Sequence, residues 1–170
     1  MSRHPYRRNH GFTMIELMVT LAVFGILVAV GVPSFNNFLV NSRTSAVAND
    51  ITSAVNLARS EAVKRGAPVT VCPSENNTEC GGTWTDGWIV MVNNTSEVLR
   101  VWRAPAEGAS INQTGTANSA IRFGALGQRV SAATQLDIEV SGCRGNRARQ
   151  LDVGPAGRIS VQRVACTGAT

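Results

Sequence analysis

Histidine and lysine are almost missing from this sequence. The two histidines, His4 and His10, both fall in the first ten of 170 residues, and Lys64 is the single lysine. If that first segment is removed from the mature chain, no imidazole remains. Ser/His and Cys/His catalytic pairs and histidine metal sites are then excluded. A Gly-Lys-Ser/Thr phosphate loop is excluded because Arg65 follows Lys64. No Gly-x-Gly-x-x-Gly follows a strand-like run. Charged residues are only 16% of the chain, against about 25% in an ordinary soluble domain. Hydrophobic residues make up 44%, so disorder through lack of apolar surface is excluded as well. The length suits one domain with one appended element. The expectation is a protein that is not an enzyme and needs neither cofactor nor metal.

What is present is unevenly placed. Residues 1–11 carry Arg3, Arg7 and Arg8 and no acid. An apolar run over residues 17–32 follows, broken only by Thr20. From Phe12 to Val32 a helix would measure about 31 Å at about 1.5 Å per residue. That matches a hydrocarbon core of about 30 Å. Positive charge before the run predicts a cytoplasmic amino terminus with the rest of the chain crossing. A cleaved secretory signal would show a shorter apolar core and a small-residue cleavage site. Here Gly31-Val32-Pro33 leads straight into a helical pattern instead. Neither a secretory signal nor a plain anchor accounts for Glu16. A carboxylate at the edge of such a run costs about 2.5–3.5 kcal/mol on insertion scales, and is a functional hypothesis by default.

Beyond Pro33, Phe35, Phe38, Leu39, Val47, Ala48, Ile51, Ala54, Val55, Ala58 and Ala62 recur mostly at spacings of three, four and seven. Gly66 suits a helix C′ position after Lys64 and Arg65. One helix from about Phe12 to Arg65 is predicted, its second half packed on something. Glu61 and Arg65 are an i,i+4 pair of small weight. The rest reads as short strands: Ala67–Cys72, Trp88–Val92, Val98–Arg103, Ala120–Phe123, Leu136–Val140, Gln150–Val153 and Arg158–Val164. Residues 93–96 and 154–157 read as hairpin loops, and 104–119 as a long surface loop. Leu136, Ile138 and Val140, and likewise Ile159 and Val161, should face a core, leaving Asp137 and Glu139 to solvent. Trp84, Trp88 and Trp102 read as core or half-buried sheet residues. Sequons at Asn76, Asn93, Asn94 and Asn112 mark surface loops. The expected fold class is α+β: a long helix laid across one antiparallel sheet of six or seven strands.

Cys72, Cys80, Cys143 and Cys166 all lie beyond the apolar run, where disulfides are the default. Three connectivities are open. Cys72–Cys80 with Cys143–Cys166 is favoured, because both pairs are local and suit the strand layout. The spacings lack the short knuckle of a zinc site. Charge adds a second asymmetry. Residues 12–142 carry eight basic and ten acidic side chains, whereas residues 143–170 carry Arg144, Arg147, Arg149, Arg158 and Arg163 against Asp152. Guanidinium forks suit phosphate oxygens. Arg147 and Arg149, two apart on a strand, should point the same way.

Gly11-Phe12-Thr13-Met14-Ile15-Glu16-Leu17, running into the apolar stretch, resembles the signal of type IV pilins and type II secretion pseudopilins. Leu57-Ala58-Arg59-Ser60-Glu61-Ala62, Val69-Thr70-Val71-Cys72, Trp84 and Gly87-Trp88 narrow the resemblance to the GspH/FimT branch. The resemblance implies cleavage between Gly11 and Phe12 by a prepilin peptidase and methylation of the new Phe12 amino group. It implies that Glu16 pairs with the Phe12 ammonium of a neighbouring pilin during assembly. The implied organisation is a leader (1–11), a transmembrane helix (12–33), an amphipathic helix (34–66) and a periplasmic β-rich head (67–170), anchored once in the bacterial inner membrane. The implied role is a minor pilin in the initiation or tip complex of a type IV pilus, or alternatively a pseudopilin of type II secretion. Some FimT-type pilins bind DNA through a Gly-Arg-x-Arg motif in the tail. The nearest match is Asn146-Arg147-Ala148-Arg149, with Asn146 standing where the pattern has glycine, so DNA joins the expected partners.

Overall fold

The computed structural model describes residues 11–105, 107–115 and 119–168. Arg3, Arg7, Arg8 and both histidines lie outside the described residues. The chain divides into two compact units, one ending at Asn37 and the other beginning at Phe38.

A single helix, α1 (Met14–Arg65), begins in the first unit and ends in the second. In the first unit its large apolar side chains, from Met14 to Val32, are exposed. In the second unit the stripe Val47, Ala48, Ile51, Ala54, Val55, Ala58 and Ala62 is buried. Four of these seven are alanines, which lets sheet side chains approach the helix backbone closely. Phe35 and Phe38, read from their spacing as part of the stripe, are exposed. The helix ends as its sequence indicates. Gly66 adopts φ 60°, the Ala67 N–H donates to Ala62 O at 3.3 Å, and the Gly66 N–H donates to Val63 O at 3.4 Å. This 6→1 closure on a left-handed glycine is a Schellman cap.

Eight strands follow: β1 (Val69–Pro73), β2 (Gly87–Val92), β3 (Glu97–Arg103), β4 (Ala109–Thr114), β5 (Ile121–Phe123), β6 (Thr134–Val140), β7 (Ala148–Val153) and β8 (Ile159–Val164). They form two sheets, ordered β3-β2-β1-β5 and β4-β6-β7-β8, and every pairing is antiparallel. The single sheet expected from sequence is therefore corrected to two. The inner faces of both sheets and the α1 stripe share one core that holds Trp84, Trp88, Phe123, Ile138 and Leu151.

Three further expectations are overturned. The 104–119 loop contains β4, whose one strongly apolar residue, Ile111, is buried opposite Ile138. An edge strand needs only one such anchor, so polar Ser110, Asn112, Gln113 and Thr114 concealed it, and the Asn112 sequon lies on a strand. Glu139 is 3% exposed, because the chain end folds over it: the Thr167 N–H and Oγ1 both donate to Glu139 Oε1, at 2.7 and 2.8 Å. Val161 is 44% exposed, although its partner Leu151 is buried. β8 is an edge strand whose middle is exposed on both faces.

The disulfides are Cys72–Cys80 and Cys143–Cys166. Cys72–Cys80 holds a loop to β1, whereas Cys143–Cys166 joins the segment after β6 to the segment after β8. Cys80 Sγ lies 3.5 Å from Met91 Sδ of β2. The Cys166 N–H donates to Gly145 O at 2.9 Å, which brings Thr167 to Glu139.

Candidate functional site

The amino-terminal candidates are Gly11, Phe12 and Glu16. Phe12 is 79% exposed. Glu16 stands in the first turn of α1 and is held by a contact that the resemblance did not supply. Its Oε2 accepts the Thr13 N–H at 3.4 Å, and Thr13 Oγ1 accepts the Glu16 N–H at 3.3 Å. This reciprocal pair is a capping box, and Thr13-x-x-Glu16 is its sequence signature. The carboxylate also sits at the positive end of the helix dipole. The helix start thus orients an anionic group at the head of an apolar surface.

The five tail arginines do not form one patch. Arg149 is 6% exposed and turns inward from β7. Its Nη2 donates to Asn41 Oδ1 at 2.7 Å and to Ser45 Oγ at 3.0 Å on α1. Its Nη1 donates to the carbonyls of Arg147 and Ala148. Burial, and then the facing Arg163 charge, lower the Arg149 pKa from the usual guanidinium value. Arg147 lies one residue before β7 and is half-buried, whereas Arg149 is buried, so the two do not offer one exposed pair as expected. Arg147 Nη1 donates to Arg144 O at 2.7 Å, which folds the two residues into one turn. Arg163 is directly opposite Arg149 in the β7–β8 register, so it belongs to this same end. Arg158 precedes β8 at its opposite end. Exposed Arg144 and Arg163 and half-buried Arg147 therefore stand at one end, Arg158 stands apart, and Arg149 is a clamp between β7 and α1.

The tryptophans are structural. Trp84 and Trp88 are buried with ring centroids 6.4 Å apart, and the Trp84 Nε1–H donates to Gln113 Oε1 at 3.0 Å. The Arg100 guanidinium covers the Trp102 ring at 4.7 Å. Among the described residues no three His, Cys, Asp or Glu side chains gather as a metal site would require.

Comparison with known proteins matches these two regions separately. Residues 6–32 match the prokaryotic N-terminal methylation motif. The chain is 50% identical over 38 residues to the type IV major pilin PilA of Myxococcus xanthus, covering 22% of this chain and 17% of PilA. It thus spans only a small part of that relative, and about a quarter of the Dichelobacter nodosus fimbrial protein FimA. It is 32% identical over 111 residues to fimbrial protein Q of Moraxella bovis, covering 65% of this chain and 70% of that protein. In fold it resembles the minor pilin FimU of Pseudomonas aeruginosa, with a TM-score of 0.61 at 18% identity over 76% of this chain and 96% of FimU. It also resembles the minor pseudopilin EpsH of Vibrio cholerae, with a TM-score of 0.51 at 12% identity over 71% and 97%. The match to the type II transport protein GspH runs from residue 47 to residue 157, more than half of the chain and nearly all of the two-sheet core, so the chain belongs to the GspH family.

Proposed function

We propose that this protein is a minor pilin, a structural subunit made in the bacterial inner membrane and incorporated into the initiation or tip complex of a type IV pilus. The observation that carries this reading is Glu16, capped by Thr13 at the head of an exposed apolar helix. An exposed apolar stretch of this length needs lipid or other helices around it. A carboxylate within it needs a cationic partner. A neighbouring subunit presenting a free Phe12 amino group supplies both. A prepilin peptidase acting between Gly11 and Phe12 would create that amino group. The head would lie in the periplasm, and its role is assembly rather than chemistry. In cells carrying a type IV pilus machine, the tagged chain is expected to lose residues 1–11 only when the peptidase is present. It should then appear in sheared filaments. A full-length chain retained in the membrane would overturn the reading. Appearance only with type II secretion components would assign it to a pseudopilus.

The finer reading is DNA capture by the tail. It is supported by Arg144, Arg147 and Arg163, none of which pairs with a carboxylate among the described residues. Three phosphate contacts predict a log–log salt slope of roughly −2 to −3 for duplex binding. Arg144→Gln with Arg147→Gln should weaken a low-salt gel shift. Arg149→Gln should leave the shift unchanged and lower stability by about 1–3 kcal/mol, because Asn41 and Ser45 lose their buried partner. Equal loss of DNA binding in both variants would contradict the division of the tail drawn above.

A further inference from the structure

The end of the head that carries Arg144, Arg147 and Arg163 is also the end at which the chain enters it. Gly142 packs beside Val40, with 3.7 Å from its Cβ position to Val40 Cγ2. Arg149 reaches Asn41 and Ser45, and Arg43 is exposed in the same stretch of α1. The carboxylates here are few. Glu139 is buried under Thr167. Glu107 is exposed and sits beside the turn whose Ser141 N–H donates to Gly108 O. Arg144, Arg147 and Arg163 thus outnumber Glu107 at this end among the described residues.

The apolar run ends at Val32, eight residues before Val40. Even fully extended, that segment reaches at most about 28 Å. A bilayer's headgroup layer adds about 5–8 Å beyond the hydrocarbon on each side. The basic end is therefore tethered no farther than about 28 Å from the hydrocarbon edge, so it meets lipid phosphates in conformations that keep this segment well short of full extension. Clustered arginines are attracted to anionic headgroups over about one Debye length, roughly 8 Å at physiological salt.

We infer that, before assembly, Arg144, Arg147 and Arg163 rest on the phosphates of anionic phospholipids, so that the head docks on the membrane that anchors it. This rests on the membrane-anchored reading of the apolar run. Extraction into a filament must break these contacts, which frees the same guanidiniums for another polyanion.

The test uses the full chain inserted in vesicles of pure phosphatidylcholine, or of phosphatidylcholine with phosphatidylglycerol, head outside. Arginines are labelled with phenylglyoxal and the rate at each site is read by peptide mass spectrometry. Arg144 and Arg163 are expected to react at least threefold more slowly in the anionic vesicles, and 0.5 M salt should abolish the difference. Arg158, exposed at the other end of β8, should react equally in both. Equal rates at Arg144 and Arg163 in a chain that survives an alkaline wash would overturn this inference alone. A chain removed by that wash would overturn the anchored reading and this inference together. Slowing that is absent with phosphatidylglycerol and arises only on adding duplex DNA would assign the surface to nucleic acid instead.

Discussion

Glu16→Ala is expected to be cleaved after Gly11 as efficiently as the parent and to enter filaments at least about tenfold less, a factor worth about 1.4 kcal/mol. The expectation follows from magnitudes. A lone carboxylate near hydrocarbon costs about 2.5–3.5 kcal/mol on insertion scales. Pairing it with a neighbouring ammonium offsets that cost only in the assembled state, where both groups leave water together. Removing Glu16 removes the pairing and leaves the neighbour's amino group alone in apolar surroundings. The capping box provides the control that separates this from simple damage to the helix. Thr13→Ala deletes the Oγ1 that accepts the Glu16 N–H, at a cost of about 0.5–2 kcal/mol to the helix start, yet it keeps the carboxylate. Glu16→Gln can keep the contact to the Thr13 N–H and loses the charge. If charge pairing drives assembly, Glu16→Gln should fail as Glu16→Ala does, and Thr13→Ala should assemble nearly normally. Immunoblots of sheared filaments against whole cells measure the ratio. Wild-type incorporation of Glu16→Gln would remove the role assigned to the carboxylate.

How much of this was legible in the sequence depended on whether the determining contacts are local. The helix, its Gly66 stop and the apolar run follow from periodicity and capping chemistry within a few residues. The two hairpin loops at 93–96 and 154–157 were marked by turn residues in the same way. The division into two sheets was not legible, because it depends on β5 pairing with β1 across about fifty residues of chain, a choice no local pattern encodes. β4 was hidden because an edge strand survives on one buried Ile111. Arg149 is different, because the signal was there. Arg149, Leu151 and Val153 alternate on one face of β7, and Leu151 and Val153 are core residues. The same phase that points them inward points Arg149 inward, toward Asn41 and Ser45. The alternation holds only from Ala148, where β7 begins, so it does not extend to Arg147. Thr13-x-x-Glu16 was likewise visible as a capping box, overshadowed by its resemblance to a processing signal.

Gly157→Ala is expected to destabilise the head by about 2–5 kcal/mol, from about 1–2 for a left-handed alanine and about 1–3 for overpacking. Gly157 closes the β7–β8 loop at φ 74°, with its N–H donating to Gly154 O at 2.9 Å. A Cβ there would strike the Gly127 carbonyl oxygen, with Arg59 Nε at 3.1 Å and Phe123 Cε1 at 3.2 Å. That oxygen is not free to retreat, since it accepts the Arg59 Nε–H of α1 at 3.1 Å. The loop 124–128 is also closed on itself by the Gly124 N–H to Gln128 O and the Gly127 N–H to Gly124 O. Three segments therefore meet at Gly157: the β7–β8 loop, the 124–128 turn and the helix. Moving any one of them pulls on the other two. Gly145 supplies the control, because it has φ 64° but nothing within 4 Å of its Cβ position. Gly145→Ala should pay only the backbone term. For a head of this size, thermal melts of the detergent-solubilised chain should fall by roughly 8–20 °C for Gly157→Ala, scaling at about 4 °C per kcal/mol. Gly145→Ala should lose roughly half of that or less on the backbone term alone. Equal shifts for the two would mean that the three-segment junction yields to the added methyl, and that only the left-handed backbone is being measured.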